Sequence, residues 1–299
     1  MIFINFYNTA PDYYLQNVAI KNISHKYNFV KVFPIGKSLC GRKINALSIG
    51  NRKNAVLYAC TFHGMEWFNT LLILHFFEEI CCAYKERKIV FDVDIFEVLN
   101  KRGLVVIPCV NPDGVEIQIH GASSCPKYEK LINIITGNTN HWQSNARGVD
   151  LNHNFNAGWQ QLRKAETEQG ITGPAPTRFG GRRPFSEVET MALCNFCLKE
   201  KFSFAIAFHS QGREIYSEYK DTPKRSIELG ERFSKYSGYK IANPPKIATG
   251  GGFKDWLIGY MKTPAITVET GLGENPLPAS DYLKEYELIR KALVKCLDF

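Results

Sequence analysis

Asn54-Ala55-Val56-Leu57-Tyr58-Ala59-Cys60-Thr61-Phe62-His63-Gly64-Met65-Glu66 is the stretch on which the fold turns. Its first seven residues form an apolar run of strand length, and Glu66–Tyr84 reads as a long buried helix. A strand that passes directly into a helix is half of a βα unit. Further apolar, β-branched runs at Lys43–Gly50, Gly103–Cys109, Phe202–Phe208 and Ala265–Glu269 read as strands. Ser186–Lys199, Lys224–Ser237 and Ser280–Leu297 carry helical periodicity, the first opened by a capping-box pattern, Ser186-x-x-Glu189. This alternation predicts an α/β fold in which helices pack on the faces of a sheet.

The same stretch carries chemistry. A strand-to-helix turn lifts side chains over the C-terminal edge of a sheet, where His63 and Glu66 can converge on one cation. Alone, H-x-x-E recurs by chance. A second strand, Phe202–Phe208, ends in His209-Ser210-Gln211-Gly212, although a histidine there could equally be a hydrogen-bonded loop residue. Two imidazoles and a carboxylate are the set used by catalytic zinc, which keeps a fourth position for water. A third strand closes on Glu269 before a glycine, placing a carboxylate that could be a surface residue or could accept a proton from water. Between them lies Arg147-Gly148-Val149-Asp150-Leu151-Asn152-His153-Asn154-Phe155, where Asp150 can orient an imidazole and Asn152 can bond a carbonyl or carboxylate.

The chain is long enough to bury one sizeable core, as a single large α/β domain or two small ones. Its 299 residues, 44% hydrophobic and 13% aromatic, exclude disordered and fibrous classes. The net charge of +8 is spread without blocks, and no zinc-finger, helix-turn-helix or aromatic-interleaved basic cluster points to nucleic acid. No apolar run spans a bilayer and no secretory signal is seen, so cytoplasmic residence is the expectation. Nine cysteines, with Cys60, Cys81, Cys109 and Cys194 inside apolar runs, suit a reducing compartment better than a disulfide framework. Cys194-x-x-Cys197 has no second pair and lies in an amphipathic helix. The polar, Gly- and Pro-punctuated stretch Gln118–Phe185 is expected to be irregular and to line a site rather than pack.

Taken together, these elements resemble the zinc carboxypeptidases, the M14 peptidases. The resemblance runs from Pro34-Ile35-Gly36-Lys37-Ser38 through Asn111-Pro112-Asp113-Gly114, Asp150-Leu151-Asn152, His209-Ser210 and Gly251-Gly252-x-x-Asp255-Trp256 to Glu269. It implies a single domain over residues 1–299, with its core from about residue 30, built on a mixed eight-stranded sheet flanked by helices. It further implies one zinc ion held by His63, Glu66 and His209, Glu269 as general base, Asp150 as the partner of His63, and Asn152 in substrate binding.

Departures from the family pattern are informative. The usual D-x-N-R-N string is Asp150-Leu151-Asn152-His153-Asn154 here, and His153 cannot supply the bidentate fork that clamps a terminal carboxylate. Where the family has a carbonyl-polarising arginine, the chain reads Trp142-Gln143, leaving oxyanion stabilisation to the metal, Gln143 or Arg147. Ile247 takes the place of the substrate-capping tyrosine.

Arg147–Leu151, Thr172-Gly173-Pro174, Pro184-Phe185-Ser186-Glu187, Gly252-Phe253-Lys254-Asp255-Trp256 and the Gly271–Pro278 segment are similar to bacterial γ-D-glutamyl-meso-diaminopimelate peptidases. The substrate so implied is a muropeptide, with Lys254 reading an acidic group on the residue after the scissile bond. A carboxypeptidase releasing C-terminal acidic residues is the enzymatic alternative. A zinc-binding pseudoenzyme that recognises wall fragments is the alternative from another class.

Overall fold

The run that begins at Asn54 becomes a strand in which every side chain is buried, Val56–Cys60. Alternate residues serve opposite faces: Val56, Tyr58 and Cys60 enter one apolar core, Leu57 and Ala59 the other. The computed structural model describes residues 6–245 and 249–299, and Ile247 lies outside them.

In chain order the strands are β1 (Lys31–Lys37), β2 (Lys43–Ile49), β3 (Val56–Cys60), β4 (Ile89–Val90), β5 (Val93–Asp94), β6 (Leu104–Ile107), β7 (Phe204–Ser210), β8 (Glu214–Tyr216), β9 (Lys240–Ile241) and β10 (Ala265–Thr270). Eight of them form a mixed sheet in the order β1-β2-β6-β3-β7-β10-β8-β9, with β4 and β5 apart as a hairpin. At its centre β6, β3, β7 and β10 run parallel. Parallel strands need both faces covered, which is why these four read as continuous apolar runs. One core lies under Tyr13–Lys26, Phe68–Lys85, Lys224–Ser237 and Tyr282–Leu297. The other lies under Val188–Glu200 and Phe253–Trp256. The fold is therefore a single α/β domain with an eight-stranded mixed sheet, as expected.

Three expectations are corrected. The helix Tyr13–Lys26 places Ala19, Ile20 and Ile23 in the main core, so packing begins well before residue 30. The stretch Gln118–Phe185 is not wholly irregular: it holds the helices Glu129–Ile135 and Trp159–Glu168, and Trp142 and Ala146 pack in a small core with Ile117, Cys125 and Ile132. The Ser186/Glu189 capping box does not form. The helix starts at Val188 with no side-chain cap, because the Ser186 hydroxyl bonds Glu187 Oε1 and the Glu189 carboxylate accepts from Leu39 N.

Cys60, Cys81, Cys109 and Cys194 are buried as small apolar groups, and all nine cysteines are free thiols. Among the described residues no helix is long and apolar enough to cross a membrane.

Candidate metal centre and active site

Strand register assembles the site. β7 and β10 are parallel with Glu269 opposite His209, and β3 lies on the other side of β7 with Cys60 opposite Phe208. The chain leaves β3 through Thr61, whose φ of 57° is unusual for a β-branched residue and turns the backbone sharply. The hydroxyl of Thr61 is tied to Thr70 Oγ1 and Glu66 O, and its carbonyl accepts Asn111 N. His63 follows, then a single 3₁₀ turn, Gly64–Glu66. Gly64 is required by contact, since a Cβ there would lie 2.3 Å from Gly114 O and 2.8 Å from Trp142 O.

These constraints bring three donors together. His63 Nδ1 lies 2.7 Å from Glu66 Oε1, His209 Nδ1 lies 3.1 Å from Glu66 Oε2, and the two Nδ1 atoms are 3.3 Å apart. His63 Nε2 meets Asp150 Oδ1 at 3.0 Å. A proton on Nε2, held by Asp150, leaves the Nδ1 lone pair facing the cluster. His209 stacks on Phe62, with ring centroids 5.1 Å apart. Two imidazole nitrogens and a carboxylate, Glu66 and His209 buried and His63 partly so, converge within 4.8 Å of one another and form a donor set that fits zinc.

Electrostatics follows from burial and proximity. Burial opposes charge on His63, yet Glu66 and Asp150 outweigh it and raise its pKa well above the usual histidine value. His209 is pushed down, chiefly by burial. Glu66 and Asp150 are held below the ordinary carboxylate range: burial opposes this, but His63 and His209 act on Glu66, and His63 and His153 on Asp150. Glu269 goes the other way, well above that range, through burial reinforced by Glu66 and Glu214.

Glu269 lines a small cavity of about 50 Å3 with Asn152, Tyr216, Lys254, Asp255 and Thr267. Asn152 is fixed by its Oδ1, which accepts Phe253 N at 3.0 Å. The Lys254 ammonium donates to Glu218 O at 2.7 Å and pairs with Asp255 at 2.5 Å. Gln143 sits beside the His63–Glu66 turn: its carbonyl accepts Gly64 N, and its side-chain Oε1 accepts the Thr177 hydroxyl.

Two candidates are placed elsewhere. Arg147 makes a bidentate pair with Glu187 and lines a different cavity, which does not include Glu269. His153 is buried, with Nδ1 2.8 Å from Glu166 Oε1 and 3.1 Å from Arg178 O, so its imidazole serves an interior ion pair. Tyr216 also lines the cavity. Its hydroxyl bonds Glu214 Oε2 at 2.9 Å at the rim of the cavity, and a strand of three residues leaves no periodic signal that could have marked it.

Residues 17–291 match the zinc carboxypeptidase family of peptidases. Gamma-D-glutamyl-L-diamino acid endopeptidase 1 of Lysinibacillus sphaericus is 34% identical over 284 residues, spanning 92% of this chain and 69% of its own. Among solved structures, bovine thrombin-activatable fibrinolysis inhibitor in complex with tick carboxypeptidase inhibitor is similar with a TM-score of 0.76 at 20% identity, covering 98% of each chain. The murein-tripeptide amidase MpaA of Escherichia coli O157 gives a TM-score of 0.52 at 21% identity, over 88% of this chain and 91% of that one. At those identities the structural likeness concerns the fold.

Proposed function

The chain belongs to the zinc carboxypeptidase family of metallopeptidases, and from that premise we propose that it hydrolyses the γ-D-glutamyl-meso-diaminopimelate amide of murein stem peptides. The observation that carries the reading is the convergence of His63, Glu66 and His209, with Glu269 in register beside His209. In this reading those three residues hold one zinc ion per chain. When bound, zinc supplies Lewis acidity, which polarises an amide carbonyl and acidifies water.

The chain's own groups do the rest. Asp150 keeps His63 in the tautomer that presents Nδ1. Glu269 accepts a proton from the attacking water as a C–O bond forms, then passes it to the amide nitrogen as the C–N bond breaks. The products are a γ-carboxylate and a free amine. Asn152 and the Gln143 carboxamide, whose oxygens are already held by Phe253 N and Thr177, would offer their amide N–H groups to the substrate's polar backbone. Among the described residues Lys254 is the cationic one lining the cavity beside Glu269, and there it would face the distal carboxylate of diaminopimelate.

The named activity of the Lysinibacillus relative supports the substrate class, as does the absence of an arginine at position 153. The test is product identification by mass spectrometry after incubating the zinc-loaded protein with L-Ala-γ-D-Glu-meso-diaminopimelate, with the same peptide extended by D-alanine, and with α-peptides ending in glutamate. Cleavage of the γ-D-glutamyl bond in the first two is expected. Turnover of the α-peptides alone, or activity abolished by blocking the C-terminus, would replace this reading with an acidic-residue carboxypeptidase. Zinc binding without turnover of any substrate would leave a recognition protein.

A further inference from the structure

A second cavity, of about 560 Å3, lies apart from Glu269 and is lined by three arginines, Arg147, Arg182 and Arg183. That volume is in the range of small-molecule sites. Its other wall is apolar, made by Leu131, Val149, Pro174 and Phe179. Glu187, the one acidic residue in the lining, is already saturated: it accepts from Arg147, from Asn145 Nδ2 at 2.7 Å and from Ser186 Oγ at 2.6 Å. Arg182 and Arg183 are exposed, and among the described residues neither guanidinium has an ion pair or a side-chain hydrogen bond.

The segment that presents them is held firmly. Asn154 Nδ2 donates to Gly180 O at 2.9 Å and to Arg183 O at 3.1 Å. Gly181 has φ +83°, and a Cβ there would lie 2.5 Å from Ser186 Oγ, so the turn before the two arginines admits little else. The pocket also shares backbone with the metal centre's support. Val149 directly precedes Asp150, and Phe179 O accepts Asp150 N at 2.8 Å.

We propose that this pocket binds an organic oxyanion, a phosphate or carboxylate seated on Arg182 and Arg183 with its apolar body against Val149, Pro174 and Phe179. Two uncompensated guanidinium groups match a planar or tetrahedral oxyanion through paired N–H donors. The apolar wall favours an organic ligand over a free inorganic ion. The inference does not depend on which peptide bond the metal centre cuts.

Isothermal titration of phenyl phosphate and of phenylacetate into the zinc-loaded protein tests it, with the Arg182→Ala/Arg183→Ala double variant beside the wild type. Both side chains are exposed and outside the catalytic cleft, so the variant should fold and keep its peptidase activity. Saturable binding weakened at least tenfold in the double variant is expected. Loss for phenyl phosphate identifies a phosphoryl ligand, and loss for phenylacetate a carboxylate. Binding equal in both proteins would place the anion at the metal centre, and that result, or no saturable binding of either probe, overturns the proposal.

Discussion

Lys254 shows how one side chain's value depends on what it already touches. Of an ammonium's three N–H donors one goes to Glu218 O, while Asp255 pairs with the charge at 2.5 Å without an aligned hydrogen bond, so donors remain for a substrate carboxylate. Asp255 also offsets its charge, so a charge-assisted bond on the order of 1–3 kcal/mol is a better expectation than a full ion-pair energy. Removing Lys254 alone would strand the buried Asp255 carboxylate at a cost of about 3–5 kcal/mol in stability, which obscures specificity. The cleaner change is Lys254→Met with Asp255→Asn. It should lower kcat/KM roughly ten- to a hundredfold for the diaminopimelate peptide, and much less for the analogue carrying lysine, which lacks the distal carboxylate. Equal losses on both substrates would mean that Lys254 supports the loop and does not read the substrate.

Among the elements, the start of the helix Val188–Glu200 makes a pH prediction. Glu189 is fully buried, accepting from Leu39 N at 3.1 Å and Asn145 Nδ2 at 3.4 Å, and burial raises its pKa from 4.5 to about 8. Between those values the folded state binds more protons than the unfolded chain, so stability must fall as pH rises through that window. It is greatest below about 4.5 for this group and levels off above about 8. Glu189→Gln, which stays neutral, should flatten the decline in the urea midpoint between acid and mildly alkaline pH. An unchanged slope would remove Glu189 as its source. The same helix shows why the capping box misled: Ser186 and Glu189 have the right spacing, but Glu187 and Leu39 supply stronger partners from outside the helix. Likewise β8 and β9, of three and two residues, exist through pairing with β10 and each other, which no local pattern records.

Across the whole molecule, what could be read in advance was what the sheet's centre dictates. Buried parallel strands must be apolar, and polar residues where they end stand out against that background, as His63, His209 and Glu269 do. The loops that complete the cleft obey non-local bonds instead. Gln143 is held by Gly64 and Thr177, His153 by Glu166, and Arg147 by Glu187. Residue type and spacing could nominate all three for substrate binding, but only the folded partners separate Gln143 from the other two. In the proposed reaction Glu269 does proton chemistry beside a metal held by other residues. Zinc content and kcat/KM, measured together in the wild type and in Glu269→Gln, test this. The amide is isosteric and cannot accept the proton, so one zinc per chain in both proteins and a loss of about 10²- to 10⁴-fold in kcat/KM is the predicted result. Near-native turnover by the fully zinc-loaded variant would contradict it.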